Sequence, residues 1–192
     1  CDWSSDVCSS DLTGLRRKDR QMEKDDAVRV LDRAPYAVLS LLDEDGAAYG
    51  VPLSFVHKDG VLYFHGAFAG RKIAGLKKHP AVSLCAVDMH RVPAAITKEE
   101  YEETKRIHGS IAPFLKNKFT TEYRSALVKG RVAFVEDPDE KRLALRRICE
   151  KYTPDNAPYI AEAVETGLSY TQVWKLVIDT VTGKTKDLGI RE

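Results

Sequence analysis

Two tight turns divide the apolar stretch at residues 36–65 into three short segments. The turns, DEDG at residues 43–46 and KDG at residues 58–60, each end in glycine, which tolerates the positive φ angles that hairpins need. Short segments rich in Val, Leu, Tyr and Phe between such turns are typical of paired strands. The stretch therefore predicts a β-meander, and it restricts the chain to folds built on an antiparallel sheet.

The rest of the chain adds three strands and several helices to this meander. The six expected strands cover residues 36–42, 47–57, 61–65, 81–87, 122–135 and 172–180. The main helices are expected at residues 25–33, 70–78, 137–152 and 157–165. We also expect a bulge near Lys129 and Gly130, an open edge or bulge at Pro52, and a turn into a short tail at residues 182–184. Since closure removes open sheet edges, we predict a mainly β (α+β) fold, a six-stranded antiparallel barrel with peripheral helices.

The chain length of 192 residues fits one domain, which we expect to cover residues 13–192. Residues 88–118 are interpreted as a helical insertion, because TKEE at residues 97–100 is a capping box and the helix after it is polar nearly all round. Residues 1–12 (CDWSSDVCSSDL) have no helical or strand period. They resemble the translation of a sequencing-library adapter, and we expect them to be an artefact or a disordered terminus.

The composition argues against several classes of protein. No segment approaches the roughly 20 consecutive apolar residues that a transmembrane helix needs, so no membrane span is expected. The formal net charge is +1, whereas proteins that bind nucleic acid through phosphate contacts are normally more basic. Without residues 1–12 only Cys85 and Cys149 remain, and their wide separation suits free thiols in a reducing cytoplasm.

The sequence lacks the motifs of several common enzyme classes. Its histidines have no metal-ligand spacing, and neither HExxH nor paired CxxC occurs, so no metal site is predicted. It contains no GxGxxG or P-loop for a nucleotide and no GxSxG nucleophile.

The segment at residues 62–72 (LYFHGAFAGRK) carries the clearest functional signal. It joins a strand to a helix through small residues and places Arg71 and Lys72 in the first helical turn. Cations there oppose the helix dipole at a cost of roughly 0.3–1 kcal/mol each, unless an anion such as phosphate binds beside the free amides. The residues alone leave two interpretations open, a phosphate site and two solvated surface charges.

The motifs around this segment resemble those of the flavin-binding split barrels. The motifs are VPLSFV at residues 51–56, YFHGAFAGRK at 63–72, HPAVSLC at 79–85, FTTEYRSALVKG at 119–130 and VWKLVIDTVTGK at 173–184. Together they are similar to the pyridoxamine 5′-phosphate oxidase-like superfamily, and more closely to its nitroimidazole-resistance (Nim-like) branch. The resemblance spans about residues 16–186 and is interrupted at residues 88–112.

This resemblance implies a homodimer with FMN bound at the subunit interface. Arg71 and Lys72 match the cations that hold the 5′-phosphate of FMN. The other matching positions are Val51, Pro52, Leu53 and Ser54 along the isoalloxazine edge, Phe64 and His65 beside the ribityl chain and ring, and Ser125 and Trp174 on strands that approach the cofactor across the interface. Structural alternatives remain for three of them: Trp174 as a core residue, Ser54 as a buried hydroxyl and His65 as a surface histidine.

The implied activity is that of an FMN-dependent oxidoreductase. NADH or NADPH would be the electron donor and a small molecule, such as a nitroaromatic compound (a 5-nitroimidazole), a quinone or oxygen, the acceptor. His65 is the expected catalytic residue, orienting the acceptor or supplying a proton. Two alternatives stay open: a flavin-binding or sequestering protein without turnover, and a split barrel that binds haem or a deazaflavin. Pyridoxamine 5′-phosphate oxidation is disfavoured, because Arg191 lacks the surrounding pattern of those enzymes.

Overall fold

The computed structural model of the protein describes residues 17–190, so the expectations for residues 1–12 lie outside the described residues. The strands are β1 (Gln21–Met22), β2 (Ala37–Leu42), β3 (Ala48–Leu53), β4 (Val56–Lys58), β5 (Val61–Gly66), β6 (Ala81–Arg91), β7 (Glu122–Phe134) and β8 (Gln172–Lys186). The helices are α1 (Lys24–Arg33), α2 (Arg71–Lys78), α3 (Lys98–His108), α4 (Pro138–Tyr152) and α5 (Ile160–Gly167). Within residues 17–190, none of the helices combines the length and the apolar character needed to cross a bilayer.

The strands form one antiparallel sheet in the order β3-β2-β6-β7-β8-β5-β4, with β1 paired to β8. β3 and β4 lie at opposite ends of this order, yet only Ser54 and Phe55 connect them. Because this connection spans at most about 11 Å, the sheet curves until its two edges approach each other. No ladder joins β3 to β4 in the described part of the chain, so the sheet wraps around a core without closing.

The structure confirms the antiparallel α+β architecture but corrects the predicted six strands to eight. The expected strand at residues 47–57 breaks at Phe55. The backbone N–H of Phe55 donates to the Tyr152 hydroxyl, which in turn donates to the Phe55 carbonyl, both at 2.9 Å, so these groups do not enter a ladder. The other addition, β1, is two residues long and too short for any periodicity. β3 is an edge strand, as Pro52 requires.

The last strand is longer than the sequence suggests. A turn was expected at residues 182–184, but β8 continues to Lys186, and Gly183 pairs with Ala126 of β7 and Met22 of β1. A Cβ on Gly183 would lie 2.8 Å from the Cβ of Ala27 in α1. Glycine is therefore needed here because a helix packs directly on the strand, and the prediction of a turn was wrong.

Local signals for helices and bulges are confirmed at three places. α2 follows Gly70 directly, and α4 begins after Asp137, whose carboxylate accepts the backbone N–H groups of Asp139 and Glu140. The register of β7 against β8 shifts at Gly130, where the bulge was expected.

The main core lies inside the curved sheet, and α1 and α2 contribute Val30, Leu31, Ile73 and Leu76 to it. A second apolar cluster on the opposite face of β5 and β8 packs under α4 and α5. α2 follows β5 directly, so its first turn lies at the end of the sheet where β5 ends and β8 begins. That end of the sheet carries Phe64, His65, Arg71, Lys72 and Trp174, half of the residues predicted to bind the cofactor.

Candidate functional site

Four aromatic rings form a row across this end of the sheet. Phe64 of β5 is in register with Trp174 of β8, which is in register with Phe134 of β7. Phe55, just before β4, extends the row, because its ring centroid lies 6.2 Å from that of Phe64. The rings of Phe64 and Trp174 are nearly parallel, with centroids 5.9 Å apart. Three of these rings are fully buried, so the row closes the end of the core.

Three lysine ammonium groups face this row from α2 and α4. The Nζ of Lys72 lies 4.9 Å from the Trp174 ring centroid, and the Nζ of Lys151 lies 4.3 Å from that of Phe55. The Nζ of Lys77 lies 5.8 Å from the Phe134 ring centroid. Aromatic faces attract cations, so each of the three ammonium groups is stabilised by the ring that it faces. We call the four rings and three lysines the lysine rim.

Lys72 is the rim cation closest to the predicted ligand-binding loop. It is half-buried, burial lowers its pKa, and it forms no ion pair with any described residue. A Cβ on Gly66 would lie 3.4 Å from the Lys72 Nζ and 3.1 Å from the Trp174 ring, so the small residue leaves room for this contact. A half-buried ammonium without an acid is a favourable partner for an anion.

His65 lies beside Lys72 at the end of β5. Its side chain is exposed, yet the protein atoms packed around the ring lower its pKa, and the positive charge of Lys72 lowers it further. Both effects favour the neutral form of the imidazole, because they move its pKa below the ordinary value of about 6.5. A neutral imidazole can donate or accept a hydrogen bond beside the cationic site.

Arg71 points away from Lys72, towards the turn between β2 and β3. Its Nε and Nη2 donate to Oδ2 of Asp43 at 3.1 and 2.6 Å, and its guanidinium carbon lies 4.6 Å from the Tyr49 ring centroid. The Arg71 side chain holds the pKa of Asp43 below its usual range. The motif predicts that Arg71 and Lys72 bind the phosphate together. In the structure Arg71 pairs with the buried Asp43, and Lys72 has no ion-pair partner among the described residues.

The start of α2 is open to a ligand. Gly70 is the N-cap with φ of 119° and ψ of 168°, a conformation that only glycine adopts readily, and no side chain caps the helix. A Cβ at Gly70 would meet no atom within 4 Å. The first amides of α2 are therefore accessible beside Lys72, and together they fit the phosphate of a phosphorylated cofactor.

The strand predicted to contact the isoalloxazine, β3, is one of the two strands at the ends of the sheet order. Val51 and Leu53 point partly into the core, whereas Pro52 and Ser54 are exposed. β3 pairs with β2 on one side only, so its outer backbone groups are available to a ligand. This geometry suits the predicted backbone contacts.

Phe64 and Trp174 do not present their side chains to a ligand. Both have zero exposed surface, because they form the interior of the aromatic row. Trp174 acts on the site through Lys72, and its indole N–H has no hydrogen-bond partner among the described residues.

Ser125 lies far from the lysine rim within one chain. It is in register with Val87 and Lys184, nine residues along β7 from Phe134, which corresponds to about 30 Å of strand. Its expected approach to the cofactor across a subunit interface stays a prediction.

Two residues at the end of α4 were missed by the sequence analysis. The Nζ of Lys151 donates to the Phe55 carbonyl at 3.2 Å, and Tyr152 bonds the same backbone. These residues are 96 and 97 positions apart from Phe55, and no local pattern connects such distant positions. Between residues 17 and 190, no group of three or more His, Cys, Asp or Glu side chains is arranged to hold a metal ion.

A family model described as pyridoxamine 5′-phosphate oxidase matches residues 23–185. The chain belongs to this family. The resemblance drawn from the motifs is thereby confirmed, and the curved antiparallel sheet is the flavin-binding fold of the pyridoxamine 5′-phosphate oxidase family.

Solved structures support the same assignment. A proposed 5-nitroimidazole antibiotic resistance protein from Bacteroides thetaiotaomicron is 27% identical, with a TM-score of 0.62 and 86% of each chain covered. The flavocytochrome Anf3 from Azotobacter vinelandii is 21% identical, with a TM-score of 0.67, over 93% of this chain and 75% of that chain. An FAD- and haem-binding protein from Mycobacterium smegmatis is 19% identical, with a TM-score of 0.67, over 88% and 74%. The last two show the shared fold only. A search of curated proteins returns no match.

Proposed function

We propose that the protein is an FMN-dependent oxidoreductase that transfers electrons from NADH or NADPH to a small acceptor of the nitroaromatic class. The observation that carries this proposal is the unpaired, half-buried Lys72 beside the open start of α2. A phosphate monoester satisfies both the ammonium and the helix amides, and FMN carries such a group. The resistance protein from Bacteroides thetaiotaomicron supports the acceptor class, because its described role concerns 5-nitroimidazoles.

Each part of the site has a distinct role in this proposal. Lys72 and the first amides of α2 bind the phosphate, while Arg71, which Asp43 holds through Nε and Nη2, keeps the N–H groups of Nη1 for a further acceptor. The free edge of β3 contacts the isoalloxazine edge. FMN supplies the redox chemistry when bound, and the protein supplies position and electrostatics. His65 orients the acceptor by hydrogen bonding, since its lowered pKa reduces the protonated fraction that could supply a proton at pH 7.

We further propose a homodimer formed through the outer face of the sheet. Five aligned positions cross five strands of this face, namely Pro52, Val38, Cys85, Leu127 and Thr182. Val38 and Leu127 are 36% and 44% exposed, so the face presents apolar surface to solvent. A groove of about 620 Å³ opens on the same face beside Ser40 and Lys129. A second subunit would cover this surface and bring its own Ser125 towards the site.

An absorbance spectrum followed by a nicotinamide titration tests the proposed activity. The purified protein, supplied with FMN, is expected to show a bound flavin spectrum that bleaches with NADH or NADPH under anaerobic conditions. Addition of a nitroimidazole should restore the oxidised spectrum. Bound FMN that is not bleached would favour the alternative of a flavin-binding protein without turnover. Binding of haem or a deazaflavin in preference to FMN would contradict the proposal.

A further inference from the structure

Lys151 belongs to the lysine rim but takes no part in the proposed phosphate site. It lies at the C-terminal end of α4 and donates to the Phe55 carbonyl, and burial lowers its pKa. Among residues 17–190 its Nζ has no carboxylate within ion-pair distance, although the negative charge of Asp32 in α1 raises its pKa and partly offsets the effect of burial. An ammonium has three donors, so it keeps capacity for a further acceptor.

The position of Lys151 differs from that of Lys72 in two ways. Two ring spacings, of 6.2 and 5.9 Å, separate the aromatic side chains that the two lysines face, so both ammonium groups are not placed around one phosphate. Lys151 also lies at a helix C-terminus, where backbone carbonyls disfavour a dianion, whereas Lys72 lies at a helix N-terminus. Lys151 therefore suits a weaker, delocalised negative charge.

Ser54 lies in the chain between the free edge of β3 and Phe55, the residue that Lys151 contacts. The serine follows Leu53, the last residue of β3, and directly precedes Phe55, which Lys151 contacts through both its carbonyl and its ring. Under the proposed function this edge lies along the isoalloxazine. Uptake of a hydride adds two electrons and one proton to a flavin, so the ring gains one negative charge.

We propose that Lys151 is a second cation of the flavin site, which stabilises the negative charge of the reduced isoalloxazine and so raises the reduction potential of bound FMN. This inference rests on the proposed function. The two lysines then have different roles. Lys72 binds the phosphate equally in both redox states of FMN, and Lys151 stabilises the reduced FMN more than the oxidised FMN. Charge placed near the flavin ring is an established means of tuning its electronics.

The affinities of Lys151→Gln for oxidised and for reduced FMN test this inference. Both dissociation constants are measured by anaerobic titration, the reduced form being prepared with dithionite. Loss of the ammonium should weaken binding of reduced FMN about tenfold relative to oxidised FMN, which corresponds to a potential about 30 mV lower. Lys141→Gln makes the same charge change on the same helix and should leave the ratio of the two dissociation constants at its wild-type value. Lys151→Arg keeps the charge and should also give the wild-type ratio.

Two further variants separate a structural role from an electrostatic one. Tyr152→Phe removes the hydroxyl contacts to Phe55 but no charge, so it should lower stability without altering the ratio. Lys151→Met keeps the aliphatic stem on Phe55 and replaces Lys151→Gln if that variant does not fold. If the ratio of the two dissociation constants is unchanged in a folded Lys151 variant, the inference about Lys151 is overturned but the proposed function is not. A wild-type protein without affinity for FMN would overturn the proposed function as well.

Discussion

The ammonium of Lys72 lies 4.9 Å from the centre of the Trp174 ring, and no described carboxylate pairs with it. The indole attracts the cation but does not neutralise it. In the free protein this half-buried charge is unfavourable, which its lowered pKa reflects. Anion binding beside Trp174 would remove that cost, so the stability of the site and its affinity for a phosphate are linked.

His65→Ala should separate flavin binding from turnover. If His65 orients the acceptor, the variant keeps its FMN affinity while kcat falls roughly 100-fold. Because the pKa of His65 lies below 6.5, the wild-type rate should be constant above about pH 7 and fall as the imidazole protonates at lower pH. Steady-state kinetics from pH 5 to 8 measure this. A rate that rises on acidification would assign His65 to proton donation instead.

Asp43→Asn should change the pH dependence of stability. Arg71 lowers the pKa of Asp43 below 3.8, so the pair stabilises the fold above this value and loses its contribution as the pH falls through the folded-state pKa. Wild type should therefore be more stable than the variant near neutral pH, and the difference should shrink below about pH 4. Urea denaturation at several pH values measures both proteins. A difference that stays constant with pH would contradict this account of the pair.

Residues that define local geometry were predictable, and long-range pairs were not. The starts of α2 and α4 were predictable from Gly70 and Asp137, because a cap acts on residues within one turn. The prediction of a turn at Gly183 was wrong. Sequence alone does not distinguish a glycine that is needed for a positive φ angle from one that is needed for close packing, here against Ala27. The motifs identified Lys72, but its contact with Trp174 depends on how the sheet curves.

The same limit applied to the other charged groups of the site. Asp43 lies in the turn at residues 43–46, which is predicted from its glycine. No residue near Asp43 in the sequence indicates that Arg71 is its partner. Lys151 reads as an ordinary helix-end cation, which is the usual role of lysine in a last turn. Its contact with Phe55 follows only from the packing of α4 on the break between β3 and β4.

Gly183→Ala should destabilise the fold. The added methyl group would lie 2.8 Å from the Ala27 Cβ, so α1 has to move away from β8, at a cost of about 1–3 kcal/mol in the free energy of unfolding. Gly167→Ala is the matched control, because its Cβ would meet only the Thr171 Oγ1 at 3.9 Å. Chemical denaturation of both variants tests the comparison. Equal stability of the two would mean that α1 does not pack closely on Gly183.

Leu127→Glu should dissociate the proposed homodimer. A carboxylate at Leu127, one of the five aligned positions on the outer face of the sheet, would be desolvated in the interface, which disfavours association. Leu143→Glu on α4 is the control, because Leu143 is similarly exposed at 39% but lies on another surface. Sedimentation velocity gives the oligomeric state of each protein. A Leu127→Glu variant that remains dimeric would place the interface elsewhere.

The FMN dissociation constant of Lys72→Gln tests the central claim most directly. Titration followed by flavin fluorescence compares it with wild type and with Lys78→Gln, a variant that removes the same charge from the other end of α2. We predict an affinity loss of roughly 10- to 100-fold for Lys72→Gln, equivalent to one charge-assisted hydrogen bond, and little change for Lys78→Gln. Equal affinities for Lys72→Gln and wild type would contradict the assignment of the phosphate site.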